Sequence, residues 1–279
     1  MAEALVLGGG GVAGIAWLTG LLAGLSDAGQ DVTGADVIVG TSAGSTVAAQ
    51  LGSGLSLEEL FARQVDPALQ AAEIMAEVDL ASFGAQAGAL LQGASGFADI
   101  RRRLGGFALA ADTVSEPERR AVIESRLPSH EWPARALKIV AVDAESGEPR
   151  VFDNASGVSL VDAVTASCAV PGVWPPVTID GRRYVDGGVR DGNNADLAAG
   201  ARRVLVISPM PTDAALLPTE KPLADAVADL RASGAEVAIV EPDAASLATF
   251  GTNPLDPSTR LPAAEAGRAQ GRALKLSWS

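Results

Sequence analysis

The chain is poor in the side chains from which reactive centres are most often built. Its 279 residues hold one histidine, His130, one cysteine, Cys168, and one tyrosine, Tyr184, and aromatic residues make up only 4%. A single cysteine excludes a disulfide within the chain, and one cysteine with one histidine excludes a structural zinc of the usual four-ligand kinds. Any Ser-His-Asp triad would have to use His130. Basic residues are also in deficit, 21 Lys and Arg against 34 Asp and Glu, for a net charge of −13. The positive footprint that binds nucleic acid is therefore missing, and anionic membrane surfaces repel the chain. These counts predict no nucleic-acid partner, at most transient membrane contact, and no metal or other cofactor.

A positive leader is lacking as well. Ala4 to Ser26 carries no charge, but Met1-Ala2-Glu3 before it has no basic residue, and Gly8 to Gly11, Gly14, Gly20 and Gly24 interrupt it. The stretch reads as a buried strand, a tight loop and a helix, not as a signal peptide or membrane span. With a single thiol, this predicts a cytoplasmic protein. A chain of this length buries about three quarters of its unfolded surface. With so few aromatics, the core must be built from Ala, Val, Leu and Ile, and these suit closely packed helices and parallel strands.

Apolar runs followed by glycine turns and helical stretches recur along the chain. Ala4–Leu7 precedes a helix over 12–28. Asp36–Val39 precedes Gly40–Gly44 and a helix over 45–51, and a Ser56/Glu59 capping pair opens a helix running to about Val65. Glu116–Leu127 reads as a charged surface helix, Leu137–Val142 and Arg150–Phe152 as strands, and Leu160–Ser167 as a helix. Val177–Ile179 and Arg183–Val185 form a hairpin around Asp180-Gly181. Val204–Ile207 and Val237–Val240 are buried-strand runs, with helices over 221–231 and 263–273. This rhythm predicts one α/β domain over 1–279, a three-layer α/β/α sandwich with a mainly parallel central sheet. Residues 66–112, rich in Ala, Gly and Leu, read as helices and loops over one end of the sheet, a helical lid or wall. Arg101-Arg102-Arg103 within them reads as a solvated helix face.

Three motifs at strand ends carry the chemistry. Gly9-Gly10-Gly11-Val12-Ala13-Gly14 suits either a dinucleotide pyrophosphate or an oxyanion, because both use exposed N–H groups at a helix start. The second strand ends Val39-Gly40-Thr41-Ser42 without the acidic residue that would hold a ribose, which argues against the dinucleotide. Gly40-Thr41-Ser42-Ala43-Gly44 is a G-x-S-x-G between strand and helix, the setting of a nucleophile elbow, although a capping serine in a small-residue turn has the same look. His130 lies in a surface loop without turn chemistry around it. Asp186, in Tyr184-Val185-Asp186-Gly187-Gly188, is an alternative base, or else an ordinary Asp-Gly turn.

In this order the three motifs resemble the patatin-like phospholipase family, with a glycine-rich oxyanion loop, a G-x-S-x-G nucleophile and a D-G-G base. Ala166–Pro176, with Gly181, Tyr184 and Val204–Met210, resembles that family's second half. The resemblance implies a patatin-like fold, Ser42 as nucleophile and Asp186 as general base. It also implies Gly9, Gly10 and Gly11, joined by the N–H of Ala43, as oxyanion donors, and a lipid or other acyl ester as substrate. Hydrolysis would pass through an acyl-enzyme. Acyl transfer from the same intermediate, or an inactive scaffold, are the alternatives. Many family members carry Arg or Lys where this chain has Ala13, and together with the net charge this tilts the expected substrate toward neutral or weakly charged esters.

A serine paired with Asp186 needs no histidine. His130→Ala is therefore expected to leave ester hydrolysis essentially unchanged, measured with a p-nitrophenyl ester; a loss matching that of Ser42→Ala would restore a histidine-based triad.

Overall fold

The structure is a computed structural model that describes residues 2–76, 80–211 and 217–277. Eight strands form one sheet: β1 (Glu3–Leu7), β2 (Val37–Gly40), β3 (Ala136–Asp143), β4 (Pro149–Phe152), β5 (Val177–Ile179), β6 (Arg182–Asp186), β7 (Arg203–Ile207) and β8 (Glu236–Val240). The hydrogen-bonded path runs β5-β6-β3-β2-β1-β7-β8, with β4 also on β3. The five strands from β3 to β8 along this path are parallel, and β4, β5 and β6 are antiparallel additions.

Among the described residues, ten α-helices accompany the sheet: α1 (Gly11–Asp27), α2 (Ala43–Leu51), α3 (Leu57–Val65), α4 (Leu80–Leu91), α5 (Phe97–Ala110), α6 (Glu116–Arg126), α7 (Leu160–Ser167), α8 (Leu223–Ala232), α9 (Ala244–Phe250) and α10 (Arg260–Ala273). From β1 the chain moves one way along the sheet to β2, and from β7 it moves the other way to β8. Right-handed crossovers in opposite directions place their helices on opposite faces. Side-chain alternation follows: Leu5, Leu7, Leu205 and Ile207 pack in one cluster with α1, α2 and α7, whereas Ala4, Val6, Val204 and Val206 pack with α8 on the other face. Burial on both faces is why these strands read as unbroken apolar runs.

The register on β3 positions the site. Ile139 pairs with Gly40 of β2 and also with Phe152 of β4; Ala141 pairs with Asp186 of β6 and also with Arg150 of β4. A strand residue pairs once on each edge, so β4 occupies one edge of β3 while β2 and β6 share the other. They arrive from opposite directions and end two residues apart.

α1 is buried nearly all round and packs along α10. A Cβ on Gly20 or Gly24 would overlap the carbonyl oxygens of Ala264 or Arg268, and one on Gly267 or Gly271 would overlap those of Trp17 or Leu21. The two backbones are thus in direct contact. This explains the uncharged, glycine-broken N-terminal stretch: it forms β1 and a core helix. Among the described residues no helix is long and apolar enough to cross a membrane.

Four sequence readings need revision. α9 was not anticipated; it is a short helix capped by Asp243, whose Oδ1 accepts the Ser246 N–H at 2.8 Å, and two turns are too few for a clear period. α6 is not merely a surface helix, because Arg119, Ile123 and Arg126 on one face are buried. Within the arginine cluster Arg102 faces solvent, but Arg101 is buried and its Nε donates to the Gly147 carbonyl at 2.7 Å. Within 66–112, α5 serves the core, since Leu104 and Ala108 pack on Val142, Val185 and Val189.

Gly267→Val forces α10 away from α1. It is expected to destabilise the fold by about 2 to 3 kcal/mol, read as a lower urea midpoint at unchanged slope; an unchanged midpoint would show that the helices have room to separate.

Candidate active site

Gly8 to Gly11 and Thr41 to Gly44 leave the ends of β1 and β2, which are parallel neighbours with Leu7 opposite Gly40. This is the carboxyl edge of the sheet, where open α/β folds place ligands. Ser42 adopts φ 52° and ψ −116°, a conformation that costs a non-glycine residue about 1 to 3 kcal/mol. Neighbouring groups hold it there. The Ser42 N–H donates to Ser167 Oγ at 3.0 Å, and the Ser42 carbonyl accepts from Ser45 Oγ at 2.7 Å and from Cys168 Sγ at 3.3 Å. A Cβ on Gly44 would overlap the Leu7 carbonyl, and the Gly44 N–H donates to the Gly8 carbonyl at 3.0 Å, so the two loops are locked together.

Asp186 is the last residue of β6 and is only 5% exposed. Its N–H donates to the Ala169 carbonyl at 2.9 Å, and its Oδ1 accepts the Gly188 N–H at 2.7 Å. A Cβ on Gly187 would overlap the Val140 carbonyl, which explains the glycine after the aspartate. Oδ2 is buried without a hydrogen bond. The Ser42 hydroxyl lies near enough to favour the charged carboxylate, short of a formed hydrogen bond. Burial outweighs this, the Gly188 N–H and Arg119, and pushes the Asp186 carboxyl up to about 6.

The glycine loop departs from expectation at one point. The Gly9 N–H donates to the Gly192 carbonyl at 2.9 Å and cannot also serve an oxyanion, although Gly9 lies against Ser42: a Cβ on it would stand 3.5 Å from that of Ser42. No acceptor within the described residues takes the N–H of Gly10, Gly11 or Ala43. Gly11 opens α1 and Ala43 opens α2, so these amides lie at the positive ends of two helix dipoles.

The cleft at Ser42 is lined by Glu73 and Ile74, from the stretch expected as a lid, and by residues that sequence reasoning did not connect with it: Arg119, Arg126, Cys168 and Trp174. Glu73 accepts from Arg126 at 2.9 and 2.6 Å and from Arg260 at 2.5 Å, all three side chains being nearly fully buried. The guanidinium of Arg119 stacks on Trp174, 3.8 Å from the ring centroid. The signal available in the sequence was the spacing of Arg119, Ile123 and Arg126, one face of a helix. His130 is elsewhere: it is half exposed, with Nε2 3.2 Å from the Glu124 carbonyl oxygen. Among the described residues no three metal-ligating side chains of His, Cys, Asp or Glu converge.

Residues 5–199 match the family described as Patatin-like phospholipase. The chain belongs to that family, and its mixed, mostly parallel sheet with helices on both faces is the patatin-like fold. Among solved structures it is similar to VipD from Legionella pneumophila, at 14% identity and TM-score 0.41 over 74% of this chain and 50% of that one. It is also similar to the type III effector protein ExoU, at 14% identity and TM-score 0.35 over 100% of this chain and 54% of that one. The chain thus spans about half the length of these proteins.

Asp186 ties the site to stability. Unfolded, its carboxyl ionises near 3.8; folded, it holds its proton to about 6. Its contribution is therefore fully present below about pH 4 and is lost as pH rises through about 6. Asp186→Asn should gain about 3 kcal/mol on the native protein between about pH 4 and pH 7, measured by urea unfolding at both values; a constant difference would place the carboxyl in water.

Proposed function

We propose that this patatin-like chain is a serine acyl-ester hydrolase acting on lipid esters, with Ser42 and Asp186 as its dyad. One observation carries the reading most directly: a strained serine at a helix start lies beside a buried aspartate whose Oδ2 has no other partner. A carboxyl poised near 6 is a base of useful strength at neutral pH, since general-base efficiency peaks when the group's pKa lies near the working pH.

In this mechanism Ser42 Oγ attacks the ester carbonyl carbon while Asp186 Oδ2 takes its proton. The negative charge that develops on the carbonyl oxygen is met by the N–H groups of Gly10, Gly11 and Ala43, already oriented and backed by two helix dipoles. The tetrahedral adduct collapses to an acyl-Ser42, and the departing alcohol takes the proton from Asp186. Water then attacks the acyl-enzyme, giving up a proton to Asp186, and as the carboxylic acid leaves Asp186 returns that proton to Ser42 Oγ, restoring the free enzyme.

The cleft as it stands holds about 20 Å³, room for about one water. An acyl chain therefore enters only when a wall moves. In the stretch 66–112 expected to act as lid, Glu73 and Ile74 are the described residues that border the cleft. They lie on an irregular strap over 70–76, pinned by Gln70 Nε2 on the Gln64 carbonyl and by Asn253 Nδ2 on the Ala76 carbonyl. We assign the lid to this strap.

Ser42→Ala and Asp186→Asn are each expected to lower kcat/KM for a short p-nitrophenyl ester by about 10⁴-fold or more, and Ser42→Ala to abolish labelling by a fluorophosphonate probe. Labelling that persists without Ser42 would overturn the assignment. The native profile should fall about tenfold per pH unit below about 6 as Asp186 gains its proton; a flat profile down to about pH 4 would remove Asp186 as base.

A further inference from the structure

Resting on the hydrolase reading of the same cleft, we infer that Arg119 is its specificity-determining cation, selecting acyl esters that carry a compact oxyanion, a phosphate or a carboxylate, close to the scissile bond.

Arg119 belongs to α6 yet is only 3% exposed, and it lines the cleft together with Ser42. Its Nε and Nη1 are buried without a hydrogen bond, and no carboxylate stands within ion-pair distance of it among the described residues. What holds it is the Trp174 ring, a contact that orients a guanidinium while leaving its N–H groups unsatisfied. A buried cation without a paired anion is costly, and a fold has no structural reason to retain one.

The surroundings have the same sign. The nearest carboxylate of the strap, Glu73, is already engaged by Arg126 and Arg260. Arg126 and Arg260 thus pair with one carboxylate, and Arg119, left unpaired beside them, lines the cleft. The starts of α1 and α2 add positive ends to the same space through Gly11 and Ala43. Asp186 is the opposing charge, and its carboxyl is held partly neutral by burial. Burial and the neighbouring Arg126 also depress the Arg119 guanidinium, to about 9, so a bound oxyanion would relieve an existing strain as well as form charge-assisted hydrogen bonds. On this proposal the cleft favours anionic esters, in place of the neutral or weakly charged ones expected from the sequence.

The test is binding of octyl phosphate, octanoate and 1-octanol to the full chain, read by calorimetry and thermal shift. The panel comprises the native protein, Ser42→Ala, Arg119→Gln and Arg119→Lys. We expect the two anions to bind at least about tenfold more tightly than the alcohol in both native protein and Ser42→Ala. Arg119→Gln should lose this discrimination, Arg119→Lys should keep part of it, and the unliganded Arg119→Gln protein should melt no lower than native. Tighter binding of octyl phosphate points to a phosphate-bearing ester, and tighter binding of octanoate to a carboxylate-bearing one. Equal binding of anions and alcohol, binding of none of the three, or discrimination that survives Arg119→Gln would overturn the proposal. Should Arg119→Gln not fold, discrimination in Arg119→Lys undiminished from native would overturn it equally. A native protein whose Ser42 takes no fluorophosphonate label, with the binding difference intact, would instead sink the hydrolase reading alone.

Discussion

Everything chemical in this molecule depends on one shared strand edge. β2 and β6 come from opposite ends of the sheet and hydrogen-bond to the same side of β3, at Ile139 and Ala141. Because the backbone ladder fixes both registers, the residue two beyond Gly40 and the residue opposite Ala141 meet without any loop having to reach. Asp186 is thus held in the main-chain ladder, while Ser42, two residues beyond β2, is fixed by the Ser167, Ser45 and Cys168 side chains. The glycines around them follow from the same closeness: Gly44 lies on the Leu7 carbonyl and Gly187 on that of Val140.

A second consequence is electrostatic. Meeting at the carboxyl edge, under α6 and the strap, removes the dyad from water, and removal from water is what raises the Asp186 carboxyl. The same enclosure makes every other charge in the cleft consequential. Glu73, Arg126 and Arg260 satisfy one another, whereas Arg119 is left with an aromatic ring as its main companion. Desolvation therefore leaves a raised carboxyl and a guanidinium without an ion pair among the described residues in the same enclosed region.

Legibility in the sequence followed the range of the interactions. The parallel strands and their helices were readable because double-sided burial leaves unbroken apolar runs, as in Leu5–Leu7 and Val204–Ile207. The Ser42 and Asp186 turns were readable because each needs small residues at fixed offsets within five positions. The N–H groups of Gly10, Gly11 and Ala43, which the same motifs suggest as oxyanion donors, have no acceptor among the described residues, but Gly9 differs. Its N–H meets Gly192, 183 residues away, and no local feature announces that pairing. Ser167 and Cys168, which hold the Ser42 backbone, are unremarkable as residues at a helix end until α7 is packed behind α2.

By itself the sequence determined the α/β layering and the order of the three motifs, since each rests on local spacing or on composition. Only the tertiary structure decided which charges are buried together at the cleft. Net charge and the missing cation at position 13 pointed toward neutral ligands, yet a local field is set by the charges that are buried together, not by their sum over the surface. Arg119, Arg126 and Arg260 come from two helices far apart in the chain, and their convergence on one carboxylate beside Ser42 exists only after folding.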